Sequence, residues 1–279
     1  MHRKKFADLH DNQYFVARKY LEKAPIKNNE VCDFFDDYWD AKRDPDNVIR
    51  DKFSSQEIQN AIKNLHVEID FIDKLDCGKI LDIGCGPGYF LSILKSGWEK
   101  FGLEVSKPAA KFASKYASIF NGTLENASYE SNFFDVIFCH HVIEHVIDPV
   151  SFINEIRRIL KIGGRLIIAT PDFDSGCARK FKDRYRLLHD KTHISLFSRD
   201  SFTRILRDHG FNITATDYPF FETTYCTKEN LGRMIEDDGK KISPAFYGNL
   251  MTFYCQKLSI DEIRERNQKQ LKRIVELSP

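Results

Sequence analysis

The 279-residue sequence predicts an α/β fold, a doubly wound and mostly parallel sheet with helices on both faces, and three observations support this. The run Ile80-Leu-Asp-Ile-Gly-Cys-Gly-Pro-Gly-Tyr-Phe90 is apolar, then acidic, then glycine at every second position. From Lys79 onward strand-like and helix-like segments alternate, the pattern of a parallel sheet wrapped by helices. Glu104 ends Phe101-Gly-Leu-Glu104, about 20 residues past the glycines, where an acid at the tip of the next strand hydrogen-bonds ribose hydroxyls.

The elements follow in chain order. The first 76 residues contain no glycine. Up to Phe53 they are charged, with an aromatic cluster of Phe34, Phe35, Tyr38 and Trp39 that reads either as cover for the core or as a flap over a ligand. Ser54-Ser-Gln-Glu57 then forms a capping box. Ile58, Ile62, Leu65, Ile69 and Ile72 follow at helical spacing, predicting one amphipathic helix packed on the sheet. The glycine loop comes next. Glycines there let the chain turn tightly and let a ligand approach backbone that a Cβ would shield. Ser106 ahead of Pro108 starts one helix, and Asp148-Pro149 supplies the N-cap and first-turn proline of another. Ser198 caps a third, whose Phe202, Ile205 and Leu206 face the core and which Gly210 ends. Phe211 to Asp217 and Leu250 to Lys257 alternate as strands do.

Two long connections, 172–197 and 218–249, stand outside this scheme, and connections of such length are usually functional. Both are expected at the carboxyl ends of the strands, where open sheets bind ligands. The expected organisation is therefore a helical and aromatic extension over 1–76 acting as a lid, a nucleoside-cofactor domain over 77–258 carrying both insertions, and an amphipathic helix over 259–279. That tail places Ile260, Ile263, Leu271, Ile274 and Leu277 on one stripe. It is expected to pack on its own domain rather than in a coiled coil, with a homodimer left open.

Composition narrows the function classes. A formal net charge of +1 gives no global field for nucleic acid, whose binding needs clustered Lys and Arg. No stretch has the apolar length of a membrane span, and Met1 to Tyr20 lacks the apolar core of a signal peptide. Seven cysteines, Cys32, Cys77, Cys85, Cys139, Cys177, Cys226 and Cys255, are scattered without a C-x-x-C pair. They read as reduced thiols of a cytoplasmic protein.

From Lys79 to Lys257 the chain resembles the class I S-adenosylmethionine-dependent methyltransferases, small-molecule type, similar to the ubiquinone and sugar methyltransferase group. Asp82 and the glycine loop resemble the family's first motif, and Glu104 its ribose-binding acid. Asn121-Gly-Thr-Leu-Glu125 resembles the segment beside the adenine, Phe134-Asp-Val-Ile-Phe-Cys139 the fourth strand, and Leu160 to Pro171 the turn and fifth strand. The resemblance implies a Rossmann-like, seven-stranded sheet closed by an antiparallel pair, with S-adenosylmethionine as cofactor. It implies cofactor contacts at Asp82, Gly84, Cys85, Gly86, Gly88, Tyr89, Glu104, Val105, Leu124, Cys139 and His140. Ile80 stands where the family often has a further acid.

The candidate chemistry is a base for a methyl acceptor. His140 follows the fourth strand, whose end by resemblance lies beside the methionine part of the cofactor. His193 precedes the helix that resembles the family's H-x-x-x-F-S element, often turned toward the acceptor. An imidazole titrates near neutrality, as a base should, and Asp190 is near enough in sequence to orient His193 if the loop folds back. His193 could equally anchor its loop. His141-Val-Ile-Glu-His145 spells an H-x-x-E-H peptidase motif in a context that is otherwise methyltransferase. If helical, it places His141, Glu144 and His145 on one face, resembling the metal-binding E-x-x-E-H of quinone-type O-methyltransferases. The expectation is no metal, the pair Glu144-His145 tying the turn to its neighbours. Arg179, Lys180, Lys182, Arg184 and Arg186 form the one basic cluster, either a solvated face or a seat for an anionic small-molecule acceptor. The reading is a methyltransferase acting on oxygen or nitrogen of a small polar metabolite, sugar or nucleotide sugar. The alternatives are a quinone-type enzyme at a membrane surface and a non-catalytic binding module on the same fold.

Overall fold

The computed structural model describes residues 54–190 and 192–277, together with the two-residue strand β1 (Ala17–Arg18). The aromatic cluster Phe34, Phe35, Tyr38 and Trp39 lies outside the described residues. The expected single helix after Ser54 is two, α1 (Ser55–Asn64) and α2 (His66–Asp73), because Leu65 leaves helical geometry at φ −109° and ψ 15°. Ser54 caps the first, its hydroxyl accepting from the Glu57 N–H. On α2 the buried positions are Glu68 and Ile72, so a carboxylate occupies a place where the apolar spacing predicts none.

Seven strands form the main sheet: β2 (Lys79–Ile83), β3 (Glu99–Glu104), β4 (Ser118–Asn121), β5 (Phe134–His140), β6 (Leu160–Pro171), β8 (Phe211–Asp217) and β9 (Leu250–Lys257). Their order is β4-β3-β2-β5-β6-β9-β8, parallel except that β9 runs antiparallel to β6 and β8. The short β7 (Ser195–Leu196) pairs instead with β1. Between the strands run α3 (Tyr89–Ile93), α4 (Lys107–Ala113), α5 (Pro149–Ile159) and α7 (Arg199–Asp208). The expected caps are in place at Ser106, Asp148 and Ser198, the last in a reciprocal capping box with Ser201.

Strand side chains alternate between faces, so each strand feeds two cores. Leu81, Ile83, Ile137 and Cys139 join α5 and α7 on one face. Ile80, Val136, Phe138, Ile167 and Tyr254 join α2, α3 and α4 on the other. This parity places Asp82 and His140 on the second face, at the carboxyl ends of their strands.

Both insertions are structured. The first contains α6 (Gly176–Phe181) and two 3-10 turns, and the second α8 (Lys228–Ile235). They share a small core of Cys177, Ala178, Phe181 and Tyr185 backed by Met234 and Phe246. The last helix, α9 (Ile260–Leu277), docks through its first turns. Arg266 donates to the Phe211 and Arg207 carbonyls, while Leu271 on the expected stripe is 63% exposed. Among the described residues no helix is long and apolar enough to cross a membrane.

Candidate active site

A cavity of about 1360 Å³ opens at the carboxyl ends of β2, β3 and β5. One ligand pocket usually measures about 300 to 1,000 Å³, so this space has room for more than one small molecule. Asp82, Gly84, Cys85, Gly86, Tyr89, Glu104, Val105, Leu124 and His140 line it. Gly88 and Cys139 do not: Gly88 is the N-cap of α3, and the Cys139 side chain lies wholly within the core against α5. Strand parity accounts for Cys139, since its neighbours Phe138 and His140 take the face that reaches the cavity.

The loop after β2 works by backbone geometry. Gly84, Gly86 and Gly88 all have positive φ, at 72°, 51° and 79°, a region that costs other residues about 1 to 3 kcal/mol. A Cβ on Gly88 would also sit 3.1 Å from the Ala113 Cα. Gly88→Ala is therefore expected to lose about 2 kcal/mol and about 4 to 8 °C of melting temperature in a domain of this size. An unchanged thermal unfolding curve would refute the strained-loop reading.

Glu104 holds this loop from the neighbouring strand. Its Oε2 accepts the Gly86 N–H and its Oε1 the Ser106 N–H, each at 2.8 Å. Asn121 braces the turn, its amide donating to the carbonyls of Glu104 at 2.8 Å and Val105 at 3.0 Å. Burial, reinforced by the Glu104 charge, pushes the Asp82 carboxyl well above its usual range.

A group of histidines follows β5, the strand that pairs with β2 beside this loop. His141 is not helical: its φ is +58°, and only Ile143–His145 forms a turn, of 3-10 type. The expected single face of His141, Glu144 and His145 does not exist. Glu144, fully buried, instead accepts from His141 Nδ1 at 2.9 Å and from the Thr170 hydroxyl at 3.1 Å. Burial would raise this carboxyl, but the His141 hydrogen bond and the charges of His141, His145 and His193 outweigh it and hold it at about 2. Ligand-type atoms of Glu144, His145 and His193 lie within 4.8 Å of one another, so His193 rather than His141 completes the trio.

His193 is 6% exposed and lines the cavity. Its Nδ1 is 2.8 Å from the Leu187 carbonyl, which therefore takes the Nδ1 proton and leaves Nε2 free to accept one. Asp190, expected to orient the ring, is 3.7 Å from Nε2 and is itself engaged by the Thr192 N–H and hydroxyl. The orienting group is thus a backbone carbonyl. Burial lowers the pKa of His193 despite the opposing charge of Glu144. His140 stacks on Phe138 with centroids 5.5 Å apart, and burial sets its pKa well below the ordinary value.

The basic cluster does not converge on the cavity. Arg179 pairs with Asp174, Arg184 pairs with Asp237, and Lys180 donates to the Met234 carbonyl, while Lys182 is exposed. Only Arg186 of the five reaches the lining. The interleaved aromatics explain why: Phe181 and Tyr185 point inward as the core of the insertion and turn the charges outward. Phe220, Tyr225 and Phe246 from the second insertion line the cavity, as do Ala61 and Leu65 of the α1–α2 corner, which meets that insertion where Asn64 accepts from the Thr224 N–H and hydroxyl. The length of the second insertion marks it as functional, but nothing in its spacing singles out those three rings.

A methyltransferase-domain family model matches residues 20–216, and the chain belongs to that family. An uncharacterized protein of Methanocaldococcus jannaschii is 30% identical over 179 residues, covering 62% of this chain and 75% of its own length. A ubiquinone biosynthesis O-methyltransferase of Vibrio vulnificus is 29% identical over 131 residues, 41% of this chain and 56% of its own length. Among solved structures, an S-adenosylmethionine-dependent methyltransferase from Archaeoglobus fulgidus superposes with a TM-score of 0.53 at 18% identity, covering 80% of this chain and 98% of that one. The protein is an S-adenosylmethionine-dependent methyltransferase with a Rossmann-like fold. Its residues fit the cofactor: a carboxylate at the tip of β3, a loop in which every second residue is a glycine without a Cβ, and one cavity that both of them line.

Proposed function

We propose that this enzyme transfers a methyl group to oxygen or nitrogen of a small acceptor by direct in-line displacement. The observation that carries the reading is one continuous cavity, lined by Glu104 and the glycine loop together with His140, His193 and the rings of Phe220, Tyr225 and Phe246. The bound cofactor supplies an electrophilic methyl on a positive sulfonium. The chain's own residues bind and align the partners, keep water out, and remove a proton. Alignment dominates: oriented binding supplies about 7 to 11 kcal/mol, against about 3 to 5 kcal/mol for a base. His193, neutral at pH 7 and presenting Nε2, is the base, and His140 contacts the acceptor beside it.

The aromatic wall supports an acceptor with a flat face of low polarity, and the histidine wall supports a polar reacting end. A sugar or nucleotide sugar stacked on the rings meets both demands, as does a phenol or aryl amine. The test is incubation of the full chain with methyl-labelled S-adenosylmethionine and four acceptor panels: sugars, nucleotide sugars, phenols and aryl amines. Labelled product on oxygen or nitrogen in one panel is expected. Product only on carbon, or none in any panel, would contradict the reading.

The clustering of Glu144, His145 and His193 favours a second reading, in which a divalent ion assists as in a quinone-type enzyme. Both Glu144 oxygens already accept hydrogen bonds, from His141 and Thr170, so we expect this group to be a structural tie. Elemental analysis should find no stoichiometric divalent ion, and chelator should leave transfer unchanged. One ion per chain, lost in a folded His145→Ala protein, would establish the second reading instead.

A further inference from the structure

On the face of the sheet covered by α2, strand register aligns two rows of side chains across β5, β6 and β9. Phe138, Ile167 and Tyr254 form one row, and His140, Ala169 and Thr252 form the next, nearer the cavity. Ala169 is the small member and is 1% exposed. Glu68 of α2 spans the gap this small residue leaves. Its Oε1 accepts from the Thr252 hydroxyl at 3.0 Å and lies 3.9 Å from His140 Nε2.

Glu68 is 0% exposed, yet its Oε2 has no hydrogen-bond partner among the described residues. A buried carboxylate with one oxygen left without a partner is costly, and an apolar side chain of similar volume is often neutral or stabilising in such a place. Burial accordingly raises the pKa of Glu68. Packing therefore does not explain the residue, and the polar neighbour that faces both it and the cavity is His140. The ring is 24% exposed where it lines the cavity, while its Nε2 edge is turned to Glu68, which does not line it.

We propose that Glu68 is a positioning residue that acts through His140: its carboxylate holds the Nε2–H of the imidazole and leaves the Nδ1 lone pair for a hydrogen-bond donor on the methyl acceptor. The proposal rests on the transferase reading above. It gives α2 a function beyond covering the sheet, because it fixes the ring that the acceptor meets. The 3.9 Å separation is of the kind that tightens when a bound ligand closes a site. The resulting contact is a charge-assisted hydrogen bond, shorter and stronger than a neutral one.

The test is nitrogen-15 imidazole NMR on the full chain with S-adenosylhomocysteine, whose binding is measured on the same samples. A downfield, slowly exchanging His140 Nε2 proton is expected in the parent. It should vanish in Glu68→Met and return, less downfield, in Glu68→Gln, whose amide oxygen still accepts. Its absence from the parent, or its persistence in Glu68→Met, would overturn the proposal while S-adenosylhomocysteine binding left the transferase reading standing. Failure of the parent to bind S-adenosylhomocysteine would overturn both. If Glu68→Met does not fold, Thr252→Val keeps the carboxylate but frees it: faster exchange of the same proton is expected, and an unchanged rate would count against the proposal.

Discussion

His193→Ala should lower methyl-transfer turnover by about 10² to 10⁴-fold, the range expected when only proton removal is lost, while leaving S-adenosylmethionine affinity nearly intact. The geometry separates the two effects. His193 reaches the cavity from the segment between β6 and α7, whereas the cofactor loop follows β2 and its carboxylate ends β3. With Nδ1 committed to the Leu187 carbonyl, Nε2 is the nitrogen left to accept a proton in the role proposed for His193. The sign of the pH dependence follows from the lowered pKa. The imidazole stays neutral and competent through pH 7, and activity falls as pH drops through a value below the ordinary 6.5. In the variant that acid limb should be missing, and the rate deficit should shrink as pH rises, because a more ionised acceptor needs the base less. Rate profiles of the two proteins across pH check this. Full activity in a folded His193→Ala protein would make the residue a loop anchor and leave His140 as the base.

Much of this architecture is legible in the chain because it rests on local rules. Alternation and turn residues locate the sheet strands, and Ser106, Asp148 and Ser198 announce three helices through their caps. What resisted reading depends on distant partners. The break at Leu65 leaves no proline or glycine to mark it, and the apolar period runs straight across it. The charges of 179–186 look like an anion seat until Asp174 and Asp237 are seen to neutralise Arg179 and Arg184. His141 looks like one corner of a helical triad, yet it takes a left-handed backbone and, though it still hydrogen-bonds Glu144, it is His193, 48 positions after His145 in the chain, that clusters with Glu144 and His145. Glu68 is the clearest case. A lone carboxylate on an amphipathic helix reads as solvent-facing, and only the register of β5, β6 and β9 shows what it meets.

Glu104→Ala should weaken S-adenosylmethionine binding by roughly one to two orders of magnitude. A hydrogen bond to a charged group is worth about 1.5 to 3 kcal/mol, and each 1.4 kcal/mol is about tenfold in affinity. The carboxylate does two things in the structure. It stands at the tip of β3, the place proposed here to meet the ribose hydroxyls, and it pins the glycine loop through Gly86. The alanine variant loses both, so the larger end of the range is expected. The proton-transfer residues lie on other elements and should be undisturbed. The most direct measurement is a calorimetric titration of the parent and of Glu104→Ala with S-adenosylhomocysteine. One molecule bound per parent chain, with binding about 10 to 100-fold weaker in the folded variant, is the expected result; no binding to the parent, or equal affinity in both proteins, would contradict it.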